Sequence, residues 1–136
     1  MGRHGSSSTR ERGQEAVEFA IVLPLLVLIM FGVLDLGRIF HSAVVIANAS
    51  REGARYGMIY PNDAAGVVAV TQAEALGSQI DLTDSATSSI AVTCPSGCGS
   101  GLPLRVTVSY RLTLIMGFVL PSPTVDVVRY VEMLVP

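Results

Sequence analysis

Residues 16–56 read AVEFAIVLPLLVLIMFGVLDLGRIFHSAVVIANASREGARY, and this stretch decides the fold. Between Ala16 and Leu34 the only charged residue is Glu18. An apolar run of this length exceeds any soluble strand. The uncharged stretch Phe19–Leu34 is slightly short of the roughly 20 residues that a helix needs to cross a bilayer, and Ala16, Val17 and Leu36 bring it into range. No other segment is apolar enough to surround such a helix in a soluble core, so the run predicts a membrane helix. Pro24 removes one backbone donor and crowds the carbonyl of Ala20, which predicts a kink that membrane helices tolerate. From Asp35 to Tyr56 there is no proline. Leu36, Ile39, Phe40, Ala43, Ile46, Ala47, Ser50 and Ala54 recur at spacings of three and four and read as one buried stripe. The helix is expected to end near Gly57, before Pro61. From Ala16 to Tyr56 it would measure roughly 60 Å at 1.5 Å per residue. About half of that exceeds the hydrocarbon thickness of about 30 Å and must stand outside the membrane.

On the N-terminal side, residues 1–15 are polar, rich in Gly and Ser, and carry Arg3, Arg10 and Arg12. They read as a flexible leader. On the C-terminal side a second helix is expected, capped by Asn62 or Asp63, with Ala65, Val68, Ala69, Gln72, Ala73 and Leu76 buried and Gly77 at its end. A polar loop follows through Ser89. Three strands complete the chain. Ile90, Val92 and Cys94 alternate with polar or small neighbours. Leu104–Leu114 places Leu104, Val106, Val108, Tyr110, Leu112 and Leu114 on one face. Val125–Val135 is β-branched, but its alternation slips at Val127–Val128, which predicts a bulge or burial on both sides. The fold class is α+β: a long helix half in lipid, a second helix, and a small three-stranded antiparallel sheet that the protruding part of the first helix covers. The expected division is residues 1–13 as leader, 14–36 as the span, 37–60 as its outer extension and 61–136 as the outer α+β domain.

Composition narrows the function. The chain has 136 residues, 50% hydrophobic and only 15% charged, against about 25% charged in soluble domains. Such a length excludes a multidomain enzyme. A net charge of −2 provides no positive field for nucleic acid. All basic residues are arginine, which reads as codon composition. His4 and His41 flank the apolar run and cannot form a dyad. No nucleophile, metal set or paired carboxylates appear in the outer domain, and Asp81 and Asp84 read as turn residues. No cofactor, metal, small-molecule substrate or catalytic role is expected.

Glu18 is the most informative residue. A carboxylate in an apolar run costs on the order of 2–3 kcal/mol at mid-bilayer and less near the edge. Gly13 lies five positions before Glu18, and Phe19 follows it. Gly13-Gln-Glu-Ala-Val-Glu18-Phe19 resembles the processing site of type IVc prepilins, which a membrane aspartic peptidase cuts after the glycine on the cytoplasmic side. The resemblance implies cleavage between Gly13 and Gln14, with Glu18 and Phe19 as recognition and assembly residues. The new amine of Gln14 would lie one turn from Glu18, and pairing would offset the cost of burying either charge. Glu18-Phe19-Ala20, Leu23-Pro24, Phe31-Gly32, Gly37-Arg38 and above all Arg51-Glu52-Gly53-Ala54-Arg55-Tyr56 extend the resemblance. They are similar to the opening segment of the TadE-like family, the minor pseudopilins of tight-adherence (Tad, or Flp) pili. That resemblance implies a single-pass protein of the inner membrane with a cytoplasmic N-terminus and an extracytoplasmic domain. It also implies a role in pilus biogenesis, with a prepilin peptidase, other pilins and pseudopilins, Tad inner-membrane assembly proteins and the lipid bilayer as partners.

Arg51, Glu52, Gly53 and Arg55 carry two readings: a solvated, salt-bridged helix end, or a docking face for the outer domain or a neighbouring subunit. Cys94 and Cys98 are too few for zinc. Outside the cytoplasm they are expected to form a local disulfide contributing roughly 2 kcal/mol. Arginines on the two sides of the span nearly balance, so the orientation rests on the processing site. An unprocessed, signal-anchored extracytoplasmic binding module is the alternative.

Overall fold

The computed structural model describes residues 8–136, with side-chain environments from Gly13 onward. Helix α1 runs unbroken from Ser8 to Ile59 and contains Pro24. Residues 8–15, expected as part of a flexible leader, continue this helix, and residues 1–7 lie outside the described residues. Helix α2 follows over Ala64–Gly77, then β1 (Ser88–Thr93), β2 (Pro103–Thr113), a short 3-10 helix (Ile115–Phe118) and β3 (Thr124–Leu134). The strands form one antiparallel sheet in the order β1-β2-β3. The α+β class expected from the pattern is therefore the class observed.

The alternation in β2 works as read. Leu104, Val106, Val108 and Leu112 turn inward and are buried, while Arg105 and Arg111 turn out. The outer face is held by Arg105–Glu132 at 2.9 Å and Arg111–Asp126 at 2.8 Å, with Arg105 over the Tyr130 ring. In β3 neither a bulge nor two-sided burial occurs. Its register against β2 is unbroken from Pro103↔Leu134 to Thr113↔Thr124. Val127 therefore turns inward, and Val128 is simply an exposed valine on the outer face.

The buried face of α1 agrees with the expected stripe at Ala43, Ile46, Ser50 and Ala54 and departs from it elsewhere, and that of α2 differs. On α1 the core is Ser42, Ala43, Val45, Ile46, Ala49, Ser50 and Ala54, whereas Leu36 and Phe40 are exposed. Gly53 and Gly57 are buried in the same face. On α2 the buried residues are Val67, Thr71 and Ala75, while Ala65, Ala69, Ala73 and Leu76 face out. The reason is close approach. Small residues on α1 let α2 and β2 come near its backbone, and the partners supply the bulk. A Cβ on Gly57 would lie 3.0 Å from both Leu104 methyls and 3.1 Å from Val67. Asp63 caps α2, accepting from the Gly66 N–H at 2.9 Å and from the Tyr56 hydroxyl at 2.9 Å. The cap thereby fastens the start of α2 to the last turns of α1. Ile80 and Leu82, in the connection expected to be polar, are buried beneath it.

Candidate functional site

The candidate site begins on the first turns of α1. Gly13, Gln14, Glu18 and Phe19 are all exposed. A Cβ built on Gly13 would meet nothing within 4 Å, so packing places no demand for glycine there. Gln14 and Glu18 are separated by one helical turn, which puts them on the same face. Around them and beyond, α1 is largely bare: Val17, Phe19, Ile21, Leu25, Leu26, Ile29, Met30, Val33 and Leu34 are all exposed, and only Leu28, Phe31 and Gly32 are half-buried. This part of the helix is long and apolar enough to cross a membrane.

Where the bare part ends, the outer domain takes hold through Asp35. Its side chain is buried. Oδ1 accepts from the Ile115 N–H at 2.9 Å and Oδ2 from the Met116 N–H at 2.8 Å. These are the first two amides of the 3-10 helix, which no bond within that helix can satisfy. The Arg38 guanidinium donates to Asp35 at 3.2 Å and to the Thr113 carbonyl at 3.0 Å. Spacing alone makes Asp35 and Arg38 an i,i+3 pair. The structure makes them a clamp between the mouth of the span and the β2–β3 connection. The available signal was the position of Asp35, a lone acid at the start of the buried face, where only a partner bringing donors would tolerate it.

Further out, Arg51, Glu52, Gly53 and Arg55 do not form one cluster: only Glu52 and Arg55 pair. Arg55 donates to Glu52 at 2.9 Å and Arg51 to Asn48 at 3.4 Å, both at the surface. Gly53 turns the other way, where a Cβ would collide with the Thr71 hydroxyl and lie 3.3 Å from the Val67 carbonyl. The two arginines share the exposed face of Phe40 and Val44, since residues eleven apart nearly align on a helix. Beside them Phe40, Val44, Asn48, Arg51 and Arg129 line a shallow depression.

Cys94 and Cys98 are joined by a disulfide that closes the start of the β1–β2 connection. Asp81 and Asp84 serve as turn residues, accepting from the N–H groups of Thr83 and Ala86. Among the described residues no group of three or more His, Cys, Asp or Glu is placed to hold a metal ion. Three carboxyls of the outer domain are held below the usual carboxylate range by donors, Asp81 by the Thr83 hydroxyl and then the Thr83 amide. For Asp63 the Gly66 amide comes first and then the Tyr56 hydroxyl. For Asp126 the donor is the Arg111 guanidinium. Through the same contacts the Tyr56 phenol and the Arg111 guanidinium are pushed up.

Residues 13–55 match the family model described as TadE-like protein. The resemblance carried by Gly13, Glu18-Phe19 and Arg51–Arg55 is thus found over that stretch, which begins at the candidate cleavage glycine. No curated protein and no solved structure matches the chain.

Proposed function

We propose that this chain is a minor pseudopilin of a Tad-type pilus, trimmed by a prepilin peptidase and acting in pilus biogenesis. The observation that carries this reading is the TadE-like match over residues 13–55. That stretch holds the processing motif, the bare apolar segment and the small-residue face on which the outer domain packs. In this reading α1 anchors the protein in the inner membrane, with Gly13 on the cytoplasmic side and residues 61–136 outside. Hydrolysis of the Gly13–Gln14 peptide bond leaves a new carboxylate on Gly13 and a new amine on Gln14. Glu18, one turn along, meets that amine in the same chain or a neighbour, which offsets the cost of holding the carboxylate in an apolar setting. The apolar surface that lipid covers is then covered by other pilins, pseudopilins or Tad assembly proteins when the helix leaves the bilayer.

The bareness of α1 over residues 17–34 supports this reading, because such a helix must be covered by lipid or by other helices. Gly13 supports it as well, since nothing in the fold occupies the place of its side chain. Intact-mass measurement of the protein extracted from membranes of its native host tests the proposal. The expected mature chain begins at Gln14. Gly13→Ala is expected to stay full length while its outer domain folds normally. A full-length wild-type chain in a host with an active peptidase would refute processing and favour an unprocessed anchor.

A further inference from the structure

The connection between β2 and β3, Leu114–Pro123, reads LIMGFVLPSP and lies in a stretch with no charge between Arg111 and Asp126. Its placement along α1 is fixed. The Asp35 carboxylate takes the N–H groups of Ile115 and Met116. The Met116 sulfur lies 3.4 Å from where a Cβ on Gly32 would be. From Glu18 to Asp35 the helix rises about 26 Å, against a hydrocarbon core of about 30 Å. With Glu18 at the inner edge of the hydrocarbon, Asp35 comes within about 4 Å of its outer edge. Gly32, with Met116 against it, lies about 4.5 Å deeper at the helical rise per residue. At this depth the connection leaves Ile115 42%, Phe118 75%, Val119 51% and Leu120 44% exposed.

We infer that the β2–β3 connection is a second membrane-contacting element. Ile115, Phe118, Val119 and Leu120 enter the outer interface of the bilayer that α1 crosses and hold the outer domain against the lipid. The backbone is suited to that setting. Irregular chain is excluded from apolar surroundings mainly by unbonded amides, and here six amides from Leu114 to Leu120 are bonded. The N–H groups of Leu114, Gly117, Val119 and Leu120 donate to carbonyls of the same connection, and those of Ile115 and Met116 donate to Asp35. Pro121 and Pro123 have no N–H to satisfy. Lipid is the occupant because the patch is continuous with the bare span and level with its end. Its lack of charge makes the contact insensitive to salt.

The inference rests on α1 being a membrane span, and the test separates the two. The chain has no tryptophan, so each single replacement gives one reporter. The full chains of Phe118→Trp, Leu26→Trp and Tyr130→Trp are reconstituted in phosphatidylcholine–phosphatidylglycerol vesicles containing lipids brominated at different depths. All three positions are exposed, so none of these changes disturbs packing. Leu26→Trp is expected to lose most emission with bromines deep in the acyl chains. Phe118→Trp is expected to be blue-shifted and to lose most emission with bromines near the headgroup, unchanged by added salt. Tyr130→Trp is expected to keep its emission. Quenching of Leu26→Trp with none of Phe118→Trp would overturn the inference and leave the span standing. Loss of both signals would overturn the span, and the inference with it. A blue shift of Phe118→Trp that ignores brominated lipid and fades as protein is diluted into more lipid would replace lipid by a second copy of the chain.

Discussion

Gly53→Ala tests the packing that joins the long helix to its outer domain. A methyl group there would collide with Oγ1 of Thr71 and approach the Val67 carbonyl at 3.3 Å and Thr71 Cβ at 3.4 Å. Thr71 is fully buried, and its hydroxyl donates to the Val67 carbonyl at 2.7 Å, so the obstacle has little room to turn away. Overpacking of this kind costs about 1–3 kcal/mol. Replacing glycine in a helix interior returns about 1 kcal/mol. The net loss is then about 1 kcal/mol, or about 4 °C in Tm for a domain of this size. Thr71→Ala removes the obstacle without stranding a group, because the Val67 carbonyl keeps its helical bond from the amide four residues on. The double variant is therefore expected to melt above Gly53→Ala, with a coupling of about 1–2 kcal/mol. Thermal unfolding of the full chain in detergent, followed by circular dichroism, reads all four species. A Gly53→Ala protein as stable as wild type would refute the close α1–α2 approach. A double variant no better than the single would show that Thr71 is not what the methyl meets.

Two further outcomes can be checked. Glu18→Ala is expected to insert, to be processed and to keep its outer domain folded, since removing the charge removes its membrane cost, yet to fail to support piliation in a deletion strain. Normal pilus counts at matched protein level would rule out an assembly role, and loss of the protein itself would point to insertion instead. Asp63 is ionised more readily when folded, owing to the Gly66 amide and Tyr56 hydroxyl. Its stabilisation is present above the unfolded carboxyl range of about pH 4 and is lost as pH falls through the lower folded value. Asp63→Asn keeps an acceptor for the cap but does not titrate, so its melting temperature is expected to fall less than that of wild type between about pH 4 and pH 2. Parallel acid limbs for the two proteins would contradict this.

The sheet and the long helix were legible because their signals are periodic and strong. In β2 every second residue from Leu104 is apolar, and the structure buries four of them: Leu104, Val106, Val108 and Leu112. The helix faces were legible in part: Ala43, Ile46, Ser50 and Ala54 of the expected α1 stripe are buried, while on α2 the buried Val67, Thr71 and Ala75 lie outside the expected set. Spacing of three and four carried the stripe to Leu36 and Phe40 on α1 and to Leu76 on α2, all of which are exposed. The close approach of α1 to α2 is made at Gly53 and Gly57, which Thr71 and Val67 come up against. There the gain comes from backbones approaching closely, and hydropathy is blind to it. The Val127–Val128 step misled in the opposite sense, since a lone exposed valine on a strand needs no special geometry. The Asp35 clamp could not be read because its donors lie about eighty residues away, on a turn whose apolar sequence shows nothing of where its amides point.

The exposed face of α1 is where the misreading bears on function. Leu36, Phe40 and Val44 are spaced by four, are 52%, 63% and 59% exposed, and continue the bare surface of the span past Asp35. Each, being a little over half exposed, forgoes about 1–2 kcal/mol that full burial would supply. The outer domain does not cover them; it packs on the other side of the helix, through Ile46, Ala49 and Gly53. Farther along the bare face the large apolar residues give way to Arg51 and Arg55. A helix that ended its work at the membrane would gain by burying Phe40 and Val44 under its own domain. A pseudopilin helix would gain by keeping them free. Neighbours that meet through the apolar span could keep the same face in contact as both helices leave the lipid, with the arginines setting register at its far end. On the proposed reading, the domain's choice of the small-residue side follows from the other side being reserved for another subunit.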